Sequence, residues 1–99
     1  MNHHAMNRGE RISSQLRSAL HTDAVELIDD SHLHAGHAGA RDGRGHFRVR
    51  VVSDEFAGLR TLQRHQLVYR SLAELMQTDI HALSIEALTP QEADLEETH

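Results

Sequence analysis

The run His46 to Ser53, HFRVRVVS, constrains this chain more than any other stretch. Phe47, Val49 and Val51 point one way and Arg48 and Arg50 the other, the period of a strand with one buried face. A strand of this kind needs neighbours and a second layer to cover its apolar side. Ala24 to Asp30 supplies a neighbour, with Val25, Leu27 and Ile28 as its apolar residues. Ala82 to Leu88 supplies another, in which Leu83, Ile85 and Ala87 alternate with Ser84 and Glu86. The first two strands would form a hairpin joined by a long loop.

The covering layer is legible at helical spacing. Arg8 to Leu20 places Ile12, Leu16, Ala19 and Leu20 on one side and Arg8, Glu10, Arg11, Gln15 and Arg17 on the other. From about Leu59 to Met76 the pattern is helical again, with Leu62, Val68, Tyr69, Leu72, Leu75 and Met76 on one arc. Thr89-Pro90-Gln91-Glu92 is a capping box with proline at the first helical position, so a short helix is expected before an acidic tail. The order is helix, strand, strand, helix, strand and a terminal turn of helix, which predicts an α+β domain.

With 99 residues there is room for one domain, and its core must be aliphatic, because Phe47, Phe56 and Tyr69 are the only aromatic residues. The expected division is a disordered segment at 1–7, a domain at 8–92 and an acidic tail at 93–99. Cysteine is absent, which excludes disulfides, thiolate metal sites and a cysteine nucleophile within the chain. No apolar run is long enough for a membrane span or a secretory core. The first residues, MNHHAMN, lack a transit-peptide pattern, so a soluble cytoplasmic protein is expected. All ten basic residues are arginine, there are ten histidines, and the net charge is −5. Residues 1–70 carry a balance of +2 and residues 71–99 a balance of −7. Such a total opposes strong non-specific nucleic-acid binding, while leaving room for a local arginine face.

Three features carry chemistry. His65 falls within the apolar arc of the second long helix, one turn before Tyr69, where it serves as a neutral core histidine or as a metal ligand. His32, His34 and His37 lie in SHLHAGHAGARDGRG, a loop of about 15 residues, Ser31 to Gly45, with neither strand nor helix periodicity. They are either solvated polar residues or part of a metal site. Arg48, Arg50, Arg60 and Arg64 form either a solvated face or a docking surface for an acidic partner or phosphates. No HExxH, P-loop or GxGxxG motif is present. A Ser53, His46 and Asp54 triad can be written down, but nothing in the spacing recommends it, and no enzyme activity is expected.

Four blocks together resemble the BolA family: DDSHLHAGH, HFRVRVVSDEFAGL, LQRHQLVYRSLAEL and HALSIEALTPQE, spanning roughly Arg8 to Glu92. The resemblance implies an αββααβ fold similar to a class II KH domain, a three-stranded sheet with helices on one face. It further implies a non-enzymatic adaptor, monomeric or weakly dimeric when alone. Such an adaptor pairs with a monothiol glutaredoxin and shares a bridging 2Fe–2S cluster with it and with glutathione, acting in iron–sulfur cluster assembly, trafficking and iron homeostasis. The family's helix histidine maps onto His65, and its loop ligand onto His34, with His37 as the rival. The chemistry is compatible: a 2Fe–2S centre takes four ligands, two of which can be imidazoles on one iron, and a thiol-free chain needs sulfur from elsewhere. The alternative is a DNA-binding transcriptional regulator using the KH-like helical surface and its arginines. A third reading is zinc or nickel buffering by the loop alone. Two departures stand out. Gln66 occupies a position where many relatives are basic, and no G-x-x-G loop lies between helices to clamp nucleic-acid backbone, since Gly36 and Gly39 are in the hairpin loop.

Overall fold

The structure, a computed structural model of the chain, describes residues 7–31 and 45–97. Its elements are α1 (Arg8–Leu20), β1 (Val25–Asp29), β2 (Gly45–Val52), a 3-10 turn (Asp54–Phe56), α2 (Thr61–Ser71), α3 (Ala73–Thr78), β3 (Ile80–Leu88) and α4 (Pro90–Glu97). β2 is the central strand, antiparallel to β1 and parallel to β3. The parallel pairing follows from the α2–α3 crossover, which returns the chain to the end of the sheet where β2 began. Among the described residues no helix is long and apolar enough to cross a membrane.

The alternation in β2 behaves as expected. Phe47, Val49 and Val51 are buried and pack with Ile12, Leu16 and Leu20 of α1, Val68 and Leu72 of the crossover, Phe56 and Ile80. Ala19, on the predicted apolar side of α1, is exposed. Asn7, within the segment expected to be disordered, caps α1: its Oδ1 accepts from the Glu10 amide at 2.8 Å, and Glu10 returns the bond to the Asn7 amide. The helix closes on His21 in the left-handed conformation, φ 52°, and its amide donates to the Arg17 carbonyl.

The periodicity from Leu59 to Met76 predicts one helix, whereas the stretch is divided into two, as the resemblance to the αββααβ fold implies. It breaks at Leu72, where φ is −107° and ψ is 7°, so an 18-residue projection sums two helices of different phase. The buried line of α2 runs through Arg64, Val68 and Leu72, while Leu62 and Tyr69 are 69% and 40% exposed. Hydropathy alone cannot find this line, because its first inward position is an arginine. β3 starts at Ile80, two residues ahead of the predicted Ala82, with Ile80 itself buried between two polar neighbours. The Thr89 capping box is present: the Glu92 carboxylate accepts from the Thr89 amide at 2.8 Å. Instead of ending where the tail was expected, α4 continues to Glu97, with Ala93 buried.

Gly45 opens β2 at a crowded point. A Cβ there would lie 2.6 Å from Ser31 Oγ and 2.7 Å from the buried Phe47 ring. Gly45→Ala is expected to destabilise the fold by about 1–3 kcal/mol, the usual cost of overpacking a core that cannot yield. Urea unfolding checks this; a variant as stable as the parent would show that Phe47 has room to move.

Candidate functional site

Residues 32–44 lie outside the described set, and with them His32, His34 and His37, but both feet of that loop are placed. The Ser31 amide donates to Asp29 Oδ1 at 2.8 Å, and Ser31 Oγ accepts from the His46 amide at 3.1 Å. The Asp30 amide donates to the His46 carbonyl at 2.8 Å, and the Gly45 amide to the Asp79 carbonyl at 2.9 Å. The buried Asp79 is in turn paired with Arg11, a hydrogen bond that holds its carboxyl below the usual range. The loop therefore leaves and re-enters at one end of the sheet, where β1 finishes and β2 and β3 begin.

Two histidines occupy that end. The rings of His46 and His81 lie 5.0 Å apart between centroids, tilted by 47°. His46 is half-buried and His81 exposed. The β2–β3 register explains their approach. Gly45 pairs with Ile80 and His46 with Ala82, so His81 is an extra residue on β3 that the pairing passes over. Such an irregularity re-aims a side chain. Sequence reading names His46 only in a triad and passes over His81 within a strand block. The available signal is that both histidines open strands beside a long loop.

His65 is elsewhere. Its neighbour Arg64 reaches the Ala87 carbonyl, near the end of β3 opposite to His81. Six residues of strand separate those positions, about 20 Å. The structure thus roots the loop away from the helix histidine with which sequence reasoning pairs it. Among the described residues no hydrogen bond or ion pair engages the His65 ring, which is half-buried at the border of α2's exposed face. Nor do the described residues contain any group of three or more His, Cys, Asp or Glu side chains able to hold a metal. They bring together a pair. Their 5.0 Å spacing and tilt are those of two packed rings, with His81 the more exposed of the two.

The triad has no geometric basis, since His46 and Ser53 stand at the two ends of β2 and Ser53 Oγ donates to the Leu20 carbonyl at 2.7 Å. Three of the four arginines expected to form a docking face are taken up inside the molecule. Arg48 pairs with Asp30 at 2.6 Å. Arg50 is surrounded by Glu96 at 3.0 Å, Glu86 at 3.4 Å and Glu26 at 3.5 Å. The hydrogen bond that it donates to Glu96 foremost raises its pKa. Arg64, turned inward, donates to the Leu59 and Ala87 carbonyls and to Glu92 at 2.6 Å. Arg60, before α2, stays exposed.

The Arg64–Glu92 pair sets an acid limit. Its hydrogen bond, with that of the Thr89 amide, lowers the Glu92 pKa from 4.5 to about 2. A carboxylate depressed in this way stabilises the fold above its unfolded value and ceases to do so as pH falls through the folded one. The thermal midpoint is therefore expected to drop as pH is lowered from about 4.5 towards 2, and less steeply in Glu92→Gln. Parallel profiles for the two proteins would show that other carboxylates govern the acid limb.

The BolA-like protein family model matches residues 16–92 of this chain. Over 91 residues the chain is 43% identical to SufE-like protein 1, chloroplastic/mitochondrial, of Arabidopsis thaliana, covering 87% of this chain. Over 83 residues it is 41% identical to the DNA-binding transcriptional regulator BolA of Escherichia coli strain K12, covering 84% of this chain and 76% of that protein. The solved structure of BolA1 from Arabidopsis thaliana superposes with a TM-score of 0.75 at 40% identity, covering 89% of this chain and 97% of that one. The chain spans 24% of the SufE-like protein and 56% of chloroplastic BOLA1 from the same plant.

Proposed function

The chain belongs to the BolA-like protein family, and from that premise we propose that it is a non-catalytic adaptor that binds a monothiol glutaredoxin and co-ligates a 2Fe–2S cluster as cargo. The observation that carries this reading is His81, exposed and packed on His46 at the rooted end of a histidine-bearing loop, in a chain without thiols. Iron in such a cluster accepts imidazole as well as thiolate. Sulfur then comes from the glutaredoxin cysteine and glutathione.

In this reading His81, exposed at the sheet end, is the ligand supplied by the folded scaffold. A loop imidazole, His34 with His37 as its rival, is the second, and His46 packs beside His81. His65, the ligand implied by the sequence resemblance, stands off this end, and the rooted loop favours His81 in its place. The acids around Arg48, Arg50 and Arg64 bear on the alternative, a DNA-binding regulator. The Escherichia coli relative carries that description, but a guanidinium already paired with carboxylate has less to offer a phosphate. A gel shift that strengthens steeply at low salt would revive it.

The test is a cluster reconstituted on a monothiol glutaredoxin with glutathione, to which this protein is added. Visible circular dichroism is expected to change on complex formation. His81→Ala and either His34→Ala or His37→Ala should alter the spectrum, while His65→Ala should match wild type. A response to His65→Ala but not to His81→Ala would return the site to α2. Spectra identical for all variants would mean all-thiolate coordination and would end the proposal.

A further inference from the structure

α2 presents a face that the fold does not use. Leu62 and Tyr69 are 69% and 40% exposed. Seven residues apart, they lie two turns from each other on one side of the helix. Gln66 fills the turn between them and His65 borders it. Arg60 and Arg70 flank the stripe, both exposed, and among the described residues neither makes an ion pair. Arg11, Arg48, Arg50 and Arg64 face carboxylates of this chain, while Arg17, on α1 and away from this face, is exposed without an ion pair among the described residues. A chain of net charge −5 has acids to spare, yet none of the described ones pairs with Arg60 or Arg70 beside this exposed apolar stripe.

We infer that this face of α2 is a docking surface for a protein partner whose own patch is apolar at its centre and carboxylate-bearing at its rim. Burying Leu62 and Tyr69 removes apolar surface from water, and aromatic and arginine side chains are the types that dominate interface energetics. Arg60 and Arg70, at the two ends of the stripe, would orient the partner through pairs at the rim. An aliphatic side chain as exposed as Leu62 has nothing to gain from a phosphate backbone, which disfavours nucleic acid as the occupant. The inference rests on the reading above in one respect: the partner put to the test is the monothiol glutaredoxin.

The experiment is calorimetric titration of the full chain with glutathione-loaded, iron-free monothiol glutaredoxin, so that it stands or falls apart from cluster ligation. Leu62→Asp and the double reversal Arg60→Glu/Arg70→Glu replace exposed side chains, and far-ultraviolet circular dichroism verifies that each variant is folded. Each is expected to weaken binding by about tenfold or more. Amide shifts of the wild-type chain during titration should concentrate on residues 60–70. Wild-type affinity in both variants, with the cluster-bridged complex still forming, would overturn the inference and leave the adaptor reading intact. Absence of any iron-free binding would overturn it as well. Loss of duplex-DNA binding on the double reversal, with glutaredoxin affinity untouched, would make the face a nucleic-acid surface and equally overturn it.

Discussion

Much of this structure depends on one arginine that points inward. Arg64 occupies the position on α2 where a hydrophobic residue would be expected, one turn before Val68, and its side chain is only 14% exposed. A charge there persists only if it is fully met. Two backbone carbonyls, Leu59 and Ala87, and the Glu92 carboxylate meet it. Those partners belong to the loop before α2, the end of β3 and the first turn of α4, so a single guanidinium joins three separated parts of the chain. Glu92 also accepts from the Thr89 amide, which couples the start of α4 to the same group.

The rotation that Arg64 imposes on α2 has a consequence on the opposite side. With Arg64 and Val68 inward, Leu62 and Tyr69 must face outward. An exposed apolar stripe is thus the geometric complement of an inward charge. At the far end of the sheet the logic is different: the Asp30, Ser31, Gly45 and His46 amides donate hydrogen bonds that fix both feet of the loop, and Gly45, lacking a side chain, leaves the space beside it to Ser31 Oγ and the Phe47 ring. The pinned end then carries His46 and His81 side by side, because the β2–β3 register passes over one residue.

The two ends of the domain consequently have separate chemistries. One is held by arginine and carboxylate, and the other offers imidazole nitrogens next to a loop with further histidines in its sequence. Arg48 and Arg50, which alternate outward from β2, are met by acids of β1, β3, α4 and the loop foot. The acidic stretch from residue 71 onward is therefore tied back to the domain. Glu86, Glu92 and Glu96 are counterions for arginines of the first 70 residues.

Local pattern determined a good part of this by itself. The alternation of Phe47, Val49 and Val51 specified the central strand and its buried face, the Ile12, Leu16 and Leu20 spacing specified α1, and the Thr89-Pro90-Gln91-Glu92 box specified the start of α4, since each depends on neighbours within a turn or a pleat. The absence of cysteine needed no structure at all. Tertiary structure alone decided which face of α2 turns inward, where the crossover breaks and which histidines meet. An inward arginine is stable only through carbonyls and a carboxylate far away in sequence, and a ring pair across parallel strands depends on a register set by the whole sheet. Hydropathy carries neither kind of information, which is why His65 stood out along the chain while His81 came to notice only in space.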